Sequence, residues 1–153
     1  MKYTLAHHKA FAAACFLCFL TVSPALQAQE SRTGTIKSVI GTVMLERGDS
    51  RQPARPGDPV AERDRIWTGP HSATAFAMRD GTSISVGPNS ALDMTSFQYE
   101  PTKQEGSMAI NLISGSMRFV TGLLGKRNPE RIEISTPTAV VGIRGTDFIL
   151  EVE

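Results

Sequence analysis

Apolar residues recur at alternate positions along much of the chain. Phe76 and Met78 share one side of an extended run, and Ile84 and Val86 do so across an Asp80-Gly81 turn. The same spacing pairs Ile110 with Leu112, Met117 with Phe119, Ile132 with Ile134, and Phe148 with Leu150 and Val152. A period of two marks strands with one buried face. No segment holds the helical period of ~3.6 long enough to suggest a helix. Extended segments are therefore predicted over 35–45, 64–67, 74–78, 82–86, 91–95, 108–112, 116–120, 131–135, 139–143 and 147–152.

Turn formers separate these runs: Gly48-Asp49, Pro56-Gly57-Asp58, Gly69-Pro70, Asp80-Gly81, Gly87-Pro88-Asn89 and Asn128-Pro129. The stretches 47–59 and 97–106 are the most polar and read as exposed connections. The expected class is all-β and single-domain. Its short strands would coil as β-solenoid-like stacked turns or pack as a two-sheet sandwich.

The N-terminus has the makeup of an export signal. Lys2 and Lys9 accompany an apolar stretch from Ala10 to Val22, and Ser23, Ala25 and Ala28 are small. That stretch is shorter than the ~20 residues a spanning helix requires. Cleavage is expected after Ala28, with Ala25 as the alternative. No twin arginine and no cysteine preceded by a lipidation pattern are present. The expected division is a signal peptide over 1–28, a linker over 29–32 and a β domain over 33–153. The exported product would be periplasmic, with no membrane span left after processing.

Export alters the chemistry available. Cys15 and Cys18 both lie in the apolar stretch, so the processed chain would have no thiol for disulfide, redox or metal work. The full chain has 16 Lys and Arg against 15 Asp and Glu; losing Lys2 and Lys9 leaves 14 against 15, or −1. Such a balance gives no global field to attract nucleic acid.

The most specific local feature is Ser135-Thr136-Pro137-Thr138-Ala139-Val140-Val141-Gly142-Ile143-Arg144-Gly145-Thr146-Asp147-Phe148. Two glycines flank one arginine inside a β-branched run, so Gly142 and Gly145 are expected to bend the chain and present Arg144. Earlier elements stand in a fixed order: Gly41-Thr42-Val43, Gly57-Asp58, Asp64-Arg65-Ile66-Trp67-Thr68-Gly69, Ser72-Ala73, Asp80-Gly81-Thr82 and Gly87-Pro88-Asn89-Ser90. Ser114-Gly115-Ser116 then lies within the run from Leu112 to Phe119. Taken together, these motifs make the chain resemble the FecR domain from about Thr33 onward. The resemblance implies an all-β periplasmic module, often the sensing part of a signalling protein that is read against an outer-membrane receptor. The anti-sigma segment, membrane helix and receptor-contacting domain of those regulators are not recognisable here. The expectation is a free module to which the signalling role does not transfer.

Each candidate residue has a structural reading and a functional one. Arg144 could grip a carboxylate in a bidentate fork, or it could pair with Asp147 or with freed backbone carbonyls. The structural reading is preferred, because buried carbonyls need partners. The other family-matching polar positions are Asp64, Thr68, Asp80 with Gly81, and Ser90, which commonly hold turns through their own side chains. A calcium site from Asp58, Asp64 and Asp80 lacks the dense spacing of a dedicated loop. His71 follows Gly69-Pro70 and reads as a solvated turn residue. Gly122-Leu123-Leu124-Gly125-Lys126 lacks the spacing and hydroxyl of a phosphate loop. Arg47, Arg51 and Arg55 form one basic group and Lys126, Arg127 and Arg131 another, both expected to be solvated. No catalytic, cofactor or metal site is expected. The lead expectation is a non-enzymatic module that recognises another envelope protein through an open sheet edge. The alternative partner is cell-wall glycan, held by Trp67, Tyr99 and the arginines, although burial was the expected fate of Trp67.

Overall fold

The computed structural model describes residues 32–143 and 147–153. The expected signal segment and the residues Arg144, Gly145 and Thr146 of the closing motif lie outside them. The elements in chain order are β1 (Gly34–Ile40), β2 (Val43–Arg47), β3 (Ser50–Pro53), β4 (Pro59–Val60), β5 (Arg65–Thr68), β6 (Ala73–Met78) and β7 (Ser83–Val86). There follow β8 (Ala91–Glu100), β9 (Glu105–Val120), the short helix α1 (Leu123–Arg127), a 3-10 turn (Pro129–Arg131), β10 (Ile132–Ser135), β11 (Val140–Gly142) and β12 (Asp147–Val152). The expected all-β class is what the structure shows. In place of stacked turns or two separate layers, one sheet curls over itself in the order β3-β2-β5-β8-β9-β7-β6-β1-β4. All pairings are antiparallel except that of β10 with β9.

The long strand β9 explains the single sheet. Its first part pairs with β8 and β10, and its last part with β7 and β12. Met108, Ile110 and Leu112 point inward from the first part, whereas Met117 and Phe119 do so from the second. The inward phase therefore changes from even to odd numbers. The ladder with β8 skips a residue between Leu112 and Ser114, and Gly115 beside it adopts φ +81°, a left-handed conformation that costs glycine little. Without it, one half of the strand would turn its apolar side chains to solvent.

The alternating pairs legible in the sequence face a single core. Phe76, Ile84, Phe119, Ile66, Leu92, Ile110 and Leu112 are all buried within one cluster. Phe148, Leu150 and Val152 of β12 are only partly buried against it. Phe148 stacks on Phe119 with ring centroids 5.3 Å apart.

Several sequence expectations require correction. The run 35–45 is two strands, broken where Gly41 adopts φ +67°. The stretch 47–59 contains β3, a strand exposed at every residue that pairs with β2; with no buried face, it has no apolar alternation to reveal it. The stretch 97–106 is mostly hairpin, since β8 runs on to Glu100 and Phe97 is buried. The runs 108–112 and 116–120 are one bent strand rather than two. A helix at Leu123–Arg127, not expected from periodicity, is one turn and a half long and buries Leu124.

The bend in β9 predicts a large contrast between two glycines. A Cβ on Gly115 would meet Ser90, whereas one on Gly142 would meet nothing within 4 Å. Gly115→Ala should cost about 2–4 kcal/mol of unfolding free energy, and Gly142→Ala less than about 0.5 kcal/mol. Urea unfolding would measure both; equal losses would contradict this account of the bend.

Candidate functional site

All four family-matching polar positions are turned inward. Asp64, Asp80 and Ser90 are essentially inaccessible, and Thr68 is 6% exposed. Asp64 accepts hydrogen bonds from Arg47 Nε at 2.7 Å, Arg47 Nη2 at 2.8 Å and the Ala61 N–H at 2.7 Å. Its turn is thus held by a forked ion pair, with the carboxylate buried and the guanidinium partly exposed. Arg47 is therefore not a solvated loop residue, as its sequence position suggested. A buried carboxylate stays charged only if such partners replace water.

Asp80 closes its own turn. Its carboxylate accepts from the Thr82 N–H at 3.0 Å and the Thr82 hydroxyl at 2.7 Å, and its carbonyl accepts from the Leu123 N–H at 2.8 Å. Gly81 supplies φ +85° between them. The Thr82 hydroxyl in turn accepts from Gly122 N–H at 3.0 Å. The turn is thereby tied to the start of α1. Asp58 serves elsewhere, accepting from the Arg55 N–H at 2.8 Å. Among the described residues, no three acidic, histidine or cysteine side chains gather as metal ligands.

Thr68 and Ser90 share one knot. The Thr68 hydroxyl accepts from the Ser90 N–H at 2.9 Å and donates to the Gly87 carbonyl at 2.5 Å. The Ser90 hydroxyl accepts from the Ser116 N–H at 2.9 Å and donates to the Pro88 carbonyl at 3.0 Å. An equivalent knot precedes it in the chain. There the Ser72 hydroxyl accepts from the Thr42 N–H at 2.9 Å and donates to the Pro70 carbonyl at 3.0 Å. Gly69 N–H donates to the Thr42 carbonyl just as Gly87 N–H donates to that of Ser116.

The two knots are copies of one turn. Gly69-Pro70-His71-Ser72-Ala73 and Gly87-Pro88-Asn89-Ser90-Ala91 lie eighteen residues apart and match at all but the central position. That position has φ +53° at His71 and +50° at Asn89. Each serine faces a positive-φ glycine of a neighbouring segment, Gly41 between β1 and β2 for one and Gly115 in β9 for the other. Where that glycine bends its strand away, the hydroxyl takes the place of a ladder partner for the next N–H. Ser72, part of the Ser72-Ala73 motif, was not among the candidate polar positions, and the two turns were not linked. Their shared Gly-Pro-x-Ser-Ala wording was the available signal.

The closing motif behaves differently. Gly142 is an ordinary strand position opposite Glu133, not the bend expected there. Asp147 pairs with Arg118 of β9, at 2.9 Å from Nε and 2.5 Å from Nη2. The expected bend at Gly145 and the roles of Arg144 and Thr146 lie outside the described residues. The Arg118 guanidinium, chiefly by hydrogen bonding, holds the Asp147 carboxyl below its ordinary value. Beyond Asp147 the strand pairs with β9 alone, so its other edge has no ladder partner among the described residues. Ile149, in the middle of that edge, is 73% exposed.

The outer face around Trp67 is already engaged. Trp67 is half-buried rather than part of the core, and its indole N–H donates to Glu46 at 3.1 Å. Arg51 and Arg65 lie over its ring, 5.4 and 5.7 Å from the centroid. Arg65 also forms a forked pair with Asp93, and this bond keeps its proton held more tightly than usual. A cleft of about 490 Å³ beside it is lined by Glu46, Arg63, Arg65 and Asp93. Tyr99 packs against Phe97. Lys126, Arg127, Arg131 and His71 are exposed.

A family model described as FecR protein matches residues 64–153. No curated protein and no solved structure matches the chain. The matched part begins at Asp64 and includes both Asp80 and Ser90, while β1 to β4 precede it in the same sheet.

Two ionic contacts give separable expectations. Asp64→Asn removes the buried charge that Arg47 neutralises and should cost about 2–4 kcal/mol in urea unfolding; a loss below ~0.5 kcal/mol would contradict its role in the turn. For Asp147 the folded carboxyl titrates below its unfolded value. Its contribution is present above the ordinary carboxylate range and is lost as pH falls through the lowered folded value. Arg118→Gln should move the Asp147 midpoint upward in an NMR titration, and an unmoved midpoint would contradict the pairing.

Proposed function

The chain belongs to the FecR family, and from that premise we propose that it is a non-enzymatic, exported binding module that recognises another envelope protein through the free edge of β12. The observation that carries the proposal is the edge of β12 that has no ladder partner among the described residues, with exposed Ile149 at its middle. An extended segment can add to such an edge through main-chain hydrogen bonds, with alternate side chains setting specificity. Most natural edges are blunted by charge, proline or cover, and β3 carries a proline in this way. At its centre β12 carries an apolar residue instead.

The polar motif positions support this reading by elimination. Asp64, Thr68, Asp80 and Ser90 are buried and bonded within the fold, so a macromolecular partner would not touch them. The positive N-terminus, apolar stretch and small residues at Ala25 and Ala28 support export to the periplasm. Glycan stacking on Trp67 has less support, because two guanidinium groups already lie over its ring.

Affinity capture of the tagged protein from an envelope extract at low salt tests the proposal. One specific protein should be retained. Ile149→Lys, whose lysine would lie between Asp147 and Glu151 on the same face, should lose it without a change in melting temperature. Absence of a specific protein, or equal capture by this variant, would overturn the reading. Sedimentation with purified peptidoglycan should leave the protein in the supernatant; its depletion would point to the glycan instead.

A further inference from the structure

The residues that flank the free edge of β12 restrict what can pair there. Asp147, Ile149 and Glu151 point to the outer face, and Phe148, Leu150 and Val152 point toward the core. Asp147 is neutralised by Arg118. Glu151 stands opposite Ser116 on β9, and no cation is paired with it among the described residues. Val152 stands opposite Gly115, at the bend of β9, and the inward side of β12 remains half-covered.

We propose that the segment received by β12 is an extended chain with alternating character. Apolar side chains would face the core side beside Phe148, Leu150 and Val152, and lysine or arginine would lie on the outer side beside Glu151. This inference rests on the reading of β12 as the recognition edge. Opposite charges across a strand pair stabilise it, and like charges directly opposite destabilise it. The inward apolar positions would complete the cover of Phe148, which among the described residues has a sheet neighbour on one side only.

A second copy of the same strand does not fit this requirement. Matching inward with inward residues in an antiparallel pair gives its longest registers centred on Ile149 or on Leu150. The first sets Asp147 against Glu151 at two places. The second sets Asp147 against Glu153 and Ile149 against Glu151. Each adds Glu151 or Glu153 beside an Asp147 whose single guanidinium partner is already engaged, with no basic residue of β12 to offset the added charge. A partner of opposite charge is the complement these positions define.

Short synthetic peptides test the inference on the full-length protein, with fluorescence anisotropy for affinity and amide NMR shifts for location. A peptide of alternating valine and lysine should shift the β12 amides and bind about tenfold more tightly at low salt than one of alternating valine and glutamate. A serine-lysine peptide should bind less well than the valine-lysine one, because it offers nothing to the inward side. Glu151→Lys should abolish or reverse the charge preference. Equal affinity of the valine-lysine and valine-glutamate peptides, both shifting β12, would overturn the charge rule and leave the edge reading standing. Absence of β12 shifts with either peptide would overturn both.

Discussion

The fold depends on how one strand serves two half-sheets. β9 carries inward side chains at even positions where it meets β8 and at odd positions where it meets β7. A strand cannot change phase without an extra residue; the ladder with β8 skips one between Leu112 and Ser114, and the positive φ of Gly115 follows directly after it. The change brings Phe119 and Leu112 into the same core from opposite ends of one strand. It also commits the surrounding backbone, because the ladder is interrupted at the bend. The Ser90 hydroxyl bonds the Ser116 N–H there and leaves no room for a Cβ on Gly115.

The same solution is used twice, at Ser72 against Gly41 and at Ser90 against Gly115. In both places a part-buried backbone donor would otherwise have lost its ladder partner, which is costly where water reaches it poorly. Hydroxyl and carboxylate side chains that look like candidates for ligand binding are committed to this task. All buried side-chain nitrogen and oxygen atoms among the described residues have partners. The recognisable family positions therefore belong to the architecture, and they fix where strands begin and turn.

Binding capacity is left to the periphery. On the outer face, Arg51, Glu46, Arg65 and Asp93 form a row of alternating charge across neighbouring strands, with Trp67 sheltered beside it. Opposite-charge neighbours of this kind support the sheet through cross-strand pairing and leave few free charges. β12 differs because its inward side is half-covered and its outer edge has no partner among the described residues. It is attached to the core through one neighbour, so a further strand could be added without displacing an existing one.

The alternation of Phe76 with Met78, Ile84 with Val86 and Ile132 with Ile134 was sufficient to identify the β class and most inward residues, because strand geometry makes burial a local, period-two property. Turn residues such as Gly81 and Gly87-Pro88-Asn89 were legible for the same reason: their backbone demands are local. β3 was hidden because an exposed strand has no apolar signature. The pairing of Arg47 with Asp64, seventeen residues away, and of Arg118 with Asp147 was also beyond reach. Such partners are chosen by which strands become neighbours, β2 with β5 in one case and β9 with β12 in the other. Alternation alone thus determined which side chains turn inward, whereas only the assembled sheet decided which polar groups are consumed in turns and which edge remains open.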